Sequence, residues 1–169
     1  MKSLRQVLSS MFHLQEYRVD GEPIARFMKW TLLYTPWFRV FFHKFTGPDW
    51  SIDPHDHPSG FVSIGLKGSY VEEVYDSTGK VLREARWKAP WIRYFPSSHI
   101  HRMTWVDPRG TYTLCLVSRW NRDWGYVVDG KLLTYREYIR RYRTSRAHHP
   151  LPQADEPRPQ AEGRPFPGG

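Results

Sequence analysis

Short apolar runs, each closed by turn residues, recur along the middle of this chain. Runs rich in aromatic and β-branched residues cover 37–45, 61–66, 70–75, 91–95, 100–106 and 111–118. This composition is typical of strands. Another run at 81–85 follows residues 76–80, Asp-Ser-Thr-Gly-Lys, whose turn chemistry predicts a hairpin with 70–75. Short strands at regular spacing predict a mainly β fold, either a barrel or a sandwich.

The first 35 residues follow a different pattern. Leu4, Val7, Leu8 and Met11 have the i, i+3, i+4, i+7 spacing of an amphipathic helix. Residues 24–34 are apolar but mixed in pattern, and a proline at position 36 interrupts them. We therefore expect residues 1–35 to form a helical or irregular segment that packs on the barrel, and residues 36–130 to form the barrel itself.

The chain after residue 130 is first basic and then rich in proline and glycine. Thr134 can cap a helix, and Glu137 three residues later completes a capping box. We therefore expect a basic helix within residues 131–147. Residues 148–169 consist mainly of proline, glycine, glutamine and charged residues, a composition typical of a disordered tail without a core.

Length and composition favour one domain. A chain of 169 residues with 40% hydrophobic residues can bury enough apolar surface to fold alone. The single cysteine, Cys115, has no intrachain partner, which is consistent with a reducing compartment. Residues 1–7 lack an apolar signal core, and the most apolar stretch, 30–42, is interrupted by proline and arginine and is too short to span a bilayer. We therefore predict a cytoplasmic protein with no membrane partner.

The net charge of +8 favours anionic partners or substrates wherever it is concentrated. Part of this charge follows the predicted barrel, at Lys131, Arg136, Arg140, Arg141, Arg143 and Arg146. These residues could neutralise several phosphates of a nucleic acid, with an affinity that falls steeply with salt. Basic helices are more often solvated faces, however, so we expect a small-molecule substrate and no nucleic acid.

Two His-x-His segments carry the most informative chemistry. His55 and His57 form the first segment, and His99 and His101 form the second. Because residues i and i+2 of a strand project to the same face, each pair can point into one interior. Neutral imidazole suits iron, zinc, copper and nickel. The sequence therefore predicts a metal site whose ligands come from two separated segments and meet only when the chain folds.

The spacing of these residues resembles that of the cupin superfamily. His55 and His57 match the His-x-His that begins the first cupin motif. Pro96, Ser98 in the place of a glycine, and His101 match the second motif. The resemblance implies a cupin-like double-stranded β-helix, which is a jelly-roll barrel, here with short N- and C-terminal helices. It also implies that His55, His57 and His101 are the metal ligands.

One position departs from the cupin pattern. The family's first motif places a glutamate four residues after the second histidine and a glycine seven residues beyond that glutamate. Phe61 occupies the glutamate position, whereas Gly68 matches the glycine. The resemblance therefore implies three histidine ligands without the usual carboxylate. Glu72 and Glu73 project to opposite faces of one strand, so one of them could replace it, although both are more typical of surface charges.

Other residues near the motifs are candidates for catalytic or positioning roles. His99 either faces the substrate, supports a ligand or lies at the rim. His43 could orient a ligand or an acid–base partner, although a satisfied core histidine is the commoner case. Arg93 could clamp a carboxylate or phosphate in bidentate fashion, or point outward over aromatic side chains. Asp56 lies between two predicted ligands and should point away from them, towards the backbone or an arginine.

The resemblance also implies a function. Cupins with three histidines and no acidic ligand include the thiol dioxygenases related to cysteine dioxygenase. Three histidines leave about three positions of an octahedral iron free for a chelating substrate and dioxygen. We therefore expect an Fe(II) dioxygenase that acts on a small polar or anionic substrate. Zinc, manganese and nickel stay open as the divalent ion.

Two alternative functions stay open. The protein could be a metal-dependent isomerase or lyase, whose metal polarises a substrate carbonyl without oxygen. It could instead be a non-catalytic module that binds a small ligand and presents a basic surface. A homodimer is a further expectation, since the aromatic-rich N-terminal segment could cover a sheet edge or a second subunit.

Overall fold

The computed structural model describes residues 13–19, 22–49 and 51–142. Within them the strands are β1 (His13–Val19), β2 (Glu22–Tyr34), β3 (Phe38–Phe45), β4 (Phe61–Lys67), β5 (Ser69–Tyr75), β6 (Val81–Lys88), β7 (Trp91–Phe95), β8 (Ile100–Val106), β9 (Thr111–Ser118), β10 (Gly125–Val128) and β11 (Lys131–Thr134). The helix α1 (Tyr135–Tyr142) follows them. The helix expected around residues 4–11, the tail at 148–169, and Arg143 and Arg146 lie outside the described residues.

The strands pair in antiparallel sheets. A six-stranded sheet has the order β1-β2-β3-β9-β4-β7, a three-stranded sheet has the order β6-β5-β8, and β10 pairs with β11. β9 lies between β3 and β4, so strands far apart in sequence are hydrogen-bonded neighbours. The prediction of a mainly β fold is confirmed.

The described part of the N-terminal segment differs from our expectation. Residues 13–19 and 22–34 form β1 and β2, whereas we expected helical or irregular structure for residues 1–35. The ladder from β1 to β2 is irregular between Glu16 and Arg18, and the ladder from β2 to β3 between Thr31 and Leu33. Because each irregularity shifts the side-chain alternation, residues 24–34 have a mixed apolar pattern although they form a strand.

The C-terminal helix begins at residue 135, directly after the predicted cap, and not at residue 131. The backbone N–H of Thr134 donates to a Glu137 carboxylate oxygen at 3.0 Å, and the N–H of Glu137 donates to the Thr134 hydroxyl at 3.3 Å. Residues 131–134 form β11 and not a helical turn. Tyr138 on α1 is fully buried, stacks on Tyr126 at 4.0 Å, and donates to Asp53 at 2.9 Å. The helix is thus fastened to β10 and to the loop that precedes His55.

The interior of the six-stranded sheet is polar near its centre. Ser63 on β4, and Thr113 and Cys115 on β9, are buried on its inner face. A hydrophobic cluster of Tyr70, Trp91 and Val106 lies elsewhere in the core. The inner face of this sheet therefore carries polar as well as apolar side chains.

The turn that joins β4 to β5 requires a glycine. Gly68 has a φ of 84°, in the left-handed region that residues with a side chain rarely adopt. A Cβ there would lie 2.5 Å from the carbonyl oxygen of Gly110. The match of this position to the cupin glycine therefore has a physical reason.

No helix in the described ranges is both long and apolar enough to cross a membrane.

Candidate metal centre

The first histidine segment is held in place by backbone hydrogen bonds and not by a regular strand. His55 exchanges two hydrogen bonds of 3.0 Å with His101 on β8. The N–H of His57 donates to the Ser97 carbonyl at 3.1 Å, and the N–H of Val127 on β10 donates to the carbonyl of Pro54 at 2.9 Å. The segment is therefore fixed between β8 and β10, which brings the two His-x-His motifs together.

Asp56 anchors the same segment from the opposite side. Its carboxylate accepts the N–H of Gly125 at 2.8 Å and pairs with the Arg122 guanidinium at 2.6 Å. The side chain is 2% exposed. Asp56 thus binds a backbone amide and an arginine, as we predicted, and lies outside the sets of ligand atoms described below.

His55, His57 and His101 bring their ring nitrogens within 4.8 Å of one another. The Nε2 atoms of His57 and His101 are 3.1 Å apart. Two imidazole nitrogens bound at right angles to one ion, each at about 2.1 Å, would lie about 3.0 Å apart. The structure thus brings together the three predicted ligands at a spacing that fits one metal ion. Without an ion, the same two atoms can share a proton in a hydrogen bond.

Burial keeps the rings of His55 and His57 neutral. Burial, with the neighbouring His101 and His99, lowers the pKa of His55 to about 3. Burial and the surrounding histidines also hold the pKa of His57 well below its ordinary value. Metal ions bind the neutral ring, so both side chains have a free lone pair at neutral pH.

Glu72 lies behind His101 and orients it. The Nδ1 of His101 donates to a Glu72 carboxylate oxygen at 3.1 Å, which leaves Nε2 as the lone pair that faces His57. Glu72 is completely buried, and the indole N–H of Trp87 donates to it at 3.2 Å. This is the carboxylate–histidine arrangement that fixes the ring orientation of metal ligands in many proteins.

Arg93 neutralises the charge of Glu72. Its guanidinium forms a direct ion pair with the Glu72 carboxylate and lies over the rings of Trp87 and Phe95, at 4.3 and 4.1 Å. Burial alone would raise the pKa of Glu72, but His101, His99 and Arg93 outweigh burial and hold that pKa well below its usual range. Arg93 therefore points inward, one of the two orientations we considered, and its charge is used to hold Glu72.

His99 belongs to a second set of candidate ligand atoms, with Glu72 and His101. Its Nε2 is 3.8 Å from a Glu72 oxygen and 3.3 Å from the Arg93 guanidinium. Burial, the largest influence, lowers the pKa of His99. The guanidinium of Arg93 already contacts both Glu72 and His99. The cation at this second set is therefore the arginine of the protein itself. A catalytic role for His99 stays a prediction.

His43 lies outside both ligand sets. Its ring is surrounded by aromatic side chains, with Phe27 at 5.0 Å and Phe45 at 5.7 Å, and its Nδ1 is 3.5 Å from the Cys115 sulfur. Nε2 is buried without a hydrogen-bond partner among the described residues. Burial, with the nearby Lys29, lowers the pKa of His43 to about 3. The structure does not bring His43 to the three predicted ligands.

Phe61 forms an apolar wall where the cupin pattern has a carboxylate. Its ring meets His57 edge-on at 4.9 Å and stacks on Phe95 at 4.6 Å. Of the two acids that could replace the missing ligand, Glu73 pairs with Arg102 at 2.9 Å and only Glu72 faces the site. Glu72 binds the Nδ1 side of His101, away from the nitrogen that faces His57.

Sequence reasoning missed one residue near the site. Asp49 lies in a Gly-Pro-Asp stretch, residues 47–49, whose composition is typical of a turn. Its carboxylate is 3.9 Å from Nδ1 of His55 and accepts the N–H of Met103 at 2.8 Å. Burial raises the pKa of Asp49. A turn residue gives no sequence signal for such a role, because the contact depends on the pairing with β8.

No protein-family model matches the chain, and no curated protein matches it. Several solved structures resemble it. A cupin-2 domain from Rhodospirillum rubrum has a TM-score of 0.51 and 13% identity, with coverage of 76% of this chain and 79% of that one. Fe(II)-HppE with the alternative substrate (S)-1-HPP has a TM-score of 0.49 and 13% identity, covering 63% and 55%. KdgF from Halomonas sp. has a TM-score of 0.46 and 15% identity, covering 64% and 87%.

The likeness to the Rhodospirillum rubrum domain shows the fold, and at this identity the fold alone. This chain spans about half the length of the Fe(II)-HppE structure, and at TM-scores under 0.5 neither Fe(II)-HppE nor KdgF bears on function. The protein has a cupin fold, so the predicted jelly-roll barrel is confirmed. Within that barrel, three histidines form a candidate site for a divalent metal.

Proposed function

We propose that this protein is a metal-dependent cupin enzyme, an Fe(II) dioxygenase that acts on a small polar or anionic substrate. One observation carries the proposal: His55, His57 and His101 converge inside the barrel with their ring nitrogens within 4.8 Å of one another. Nitrogen ligands of this kind suit iron, and about three positions of an octahedral ion stay free. A bound Fe(II) would supply the redox chemistry with dioxygen.

The charges around the three histidines favour an anionic substrate. A histidine binds a metal ion through its neutral ring, so three histidine ligands leave the positive charge of a bound ion uncompensated. The buried carboxylate of Glu72 is already offset by Arg93. An anion that chelates the ion would therefore meet a net positive site.

Aromatic side chains limit water at the same site. The rings of Phe61 and Phe95 stack on each other and contact His57 at 4.9 and 6.4 Å. An apolar wall that excludes water strengthens electrostatic contacts to the substrate and prevents competing hydrolysis. We therefore assign Phe61 to the substrate cavity, in the place where other cupins have a ligand.

Metal content tests the proposed ligands. We expect the wild-type protein, purified without chelators, to hold about one ion per chain, and His57→Ala or His101→Ala to lose most of it. Elemental analysis measures both the amount and the identity of the ion, so it also decides between iron, zinc, manganese and nickel. His43→Ala is the matched control, since this buried histidine lies outside the ligand set and its loss should leave the metal content unchanged. Full metal in both ligand variants would overturn the proposal.

Oxygen consumption separates the dioxygenase from a metal-dependent isomerase or lyase. We expect the iron-loaded protein to consume oxygen in step with a substrate from a panel of small carboxylates, thiols and phosphonates. Turnover that continues without oxygen would instead indicate an isomerase or lyase. Metal binding without any turnover would indicate a non-catalytic ligand-binding module.

Glu72 should influence the metal although it does not face it. Glu72→Gln keeps the shape of the side chain but removes the charge that polarises His101. Loss of such a partner typically lowers metal affinity by about 10–100-fold. Titration with a competing chelator measures the change. Glu73→Gln is the matched control, because the adjacent carboxylate pairs with Arg102 on the other face of β5. Equal affinities for the two variants would show that Glu72 does not act through His101.

A further inference from the structure

Arg39 lies near the candidate metal centre but belongs to neither set of ligand atoms. In the register of the six-stranded sheet, Arg39 on β3 and Phe61 on β4 both pair with Val117 on β9. Directly paired residues share a face of the sheet, so these side chains are on the side where the Phe61 ring meets His57. Neighbouring strands are about 4.8 Å apart, which places the backbone of Arg39 roughly 10 Å from that of Phe61.

A loop links Arg39 to the first histidine segment. The guanidinium of Arg39 lies over the ring of Trp120, 5.0 Å from its centre. The N–H of Asn121, the next residue, donates to the carbonyl of Pro58 at 3.1 Å. Pro58 directly follows His57 in the chain. The loop that contacts Arg39 therefore also binds the backbone beside a proposed metal ligand.

Aromatic contacts hold the guanidinium of Arg39 in place. It lies over the ring of Tyr34 at 4.8 Å and donates one hydrogen bond to the Tyr34 hydroxyl at 3.2 Å. Within the part of the chain that the structure describes, no carboxylate pairs with Arg39 and no second hydrogen bond occupies it. A guanidinium has five N–H donors, so most of them can bind a ligand. A planar group held by stacking is suited to bind a carboxylate or phosphate through two hydrogen bonds at once.

The strands around Arg39 do not compensate its charge. The segments β3, β4, β7 and β9 contain no aspartate or glutamate. A second cation is close by, since the Nζ of Lys29 on β2 is 4.8 Å from the centre of the Phe41 ring, two residues from Arg39. Burial, followed by the charge of Arg39, lowers the pKa of Lys29 to about 8. The inner face at β2 and β3 is therefore electropositive, which favours an anion.

We propose that Arg39 binds a carboxylate or phosphate group of the substrate, remote from the metal ion. This assignment rests on the proposed function, because it places the other end of the substrate at the three histidines. Arg93 on β7 does not serve in the same way, since its guanidinium is paired with Glu72. Arg39 is half-buried and Trp120 beside it is 57% exposed, so an anion can reach the guanidinium from solvent.

Phosphate binding to the metal-free protein tests Arg39 separately from the metal. After removal of metal and chelator, calorimetric titration with inorganic phosphate at constant ionic strength should show one site per chain, with a dissociation constant on the order of 1 mM. Arg39→Gln should weaken this binding at least about tenfold, the effect of losing a charge-assisted hydrogen bond. Arg39→Lys keeps the charge but loses the planar pair of donors, so it should also weaken binding if Arg39→Gln folds poorly.

Arg86→Gln is the matched control. Arg86 also lies over a tryptophan ring, that of Trp105 at 5.2 Å, but it is on β6 in the other sheet. Its replacement removes the same charge and should leave the affinity for phosphate unchanged. A wild type that binds no phosphate would overturn the proposal, as would equal affinities of Arg39→Gln and Arg86→Gln.

Metal analysis of the same proteins distinguishes this proposal from the proposed function. Arg39→Gln should keep the metal content of the wild type, because Arg39 is not a ligand. A wild type without bound metal would contradict the proposed function alone, since phosphate binding that is lost in Arg39→Gln would still support an anion site.

Dicarboxylates of increasing length show whether the anion is part of the substrate. With the Fe(II)-loaded protein in the absence of oxygen, the affinity for the series from malonate to suberate should pass through a maximum. At that length one molecule reaches both the ion and Arg39, and the second contact becomes intramolecular. The maximum should disappear in Arg39→Gln. An affinity that does not depend on length would show that Arg39 binds a separate anion, and would overturn its assignment to the substrate.

Discussion

Replacing Arg93 by methionine is expected to lower the free energy of unfolding by about 3–5 kcal/mol, the cost of leaving one member of a buried ion pair without its partner. Glu72 is completely buried, and its carboxylate stays ionised because Arg93, His101 and His99 outweigh the effect of burial. Methionine keeps much of the side-chain length between Trp87 and Phe95 but removes the charge. Urea denaturation of the metal-free proteins near neutral pH measures the difference.

Two comparisons separate charge from packing. The double variant Glu72→Gln/Arg93→Met removes both charges and should recover much of the lost stability, because no unpaired carboxylate remains in the interior. Arg102→Met breaks the pair with Glu73, whose members are 24% and 19% exposed, and removes a hydrogen bond to the Ile52 carbonyl, so it should cost less than Arg93→Met, about 1–2 kcal/mol. If Arg93→Met and Arg102→Met were equally mild, the buried pair would not have the structural importance that we assign to it.

The general fold was predictable because the strands of the barrel are short and end at strong turn signals. Runs such as 70–75 and 81–85 are short and flank a turn that contains glycine, which is local information. β2 was not predictable in this way. It pairs on both sides and crosses irregular ladders, so its apolar residues follow no single period over 13 residues.

The convergence of the three histidines was predictable, but the structure achieves it partly in a different way from the one we expected. We expected His55 and His57 to share a strand face, whereas the segment around them is irregular and forms only isolated bridges, His55 with His101 and with Tyr126. Both rings still lie on one side because hydrogen bonds from His55 to His101 and from His57 to Ser97 hold the backbone at both positions. The position of the two rings therefore depends on the long-range pairing of His55 with His101 and with Tyr126, which cannot be read from the sequence.

The support behind the histidines could not be derived from the sequence. Glu72 lies on β5 and Arg93 on β7, and these strands belong to different sheets with no shared register. Strand alternation alone required one of Glu72 and Glu73 to point inward. It did not determine which of the two does so. Only the packing of the two sheets against each other brings this carboxylate between His101 and the arginine.

Acidification should destabilise the metal-free protein in the range where ordinary histidines titrate. His43, His55, His57 and His99 all have pKa values below the ordinary value of 6.5 in the folded state, with burial as the largest cause. Below pH 6.5 the unfolded chain takes up protons at these rings and the folded chain does not. Their contribution to stability is therefore complete above pH 6.5 and is lost as the pH falls towards the folded values, about 3 for His43 and His55.

The expected loss between pH 6.5 and pH 5 is at least about 2 kcal/mol, since each fully linked ring can contribute up to about 1.4 kcal/mol per pH unit. Lys29, whose pKa burial lowers to about 8, is protonated in both states over this range and adds nothing. The raised pKa values of Asp49 and Asp56 act in the opposite direction, but these are two carboxyl groups against four histidine rings. Urea denaturation in the presence of a chelator at several pH values measures the slope. His43→Leu removes one linked ring outside the ligand set and should flatten it, whereas a wild-type stability that stayed constant or rose on acidification would contradict the burial of neutral histidines in this barrel.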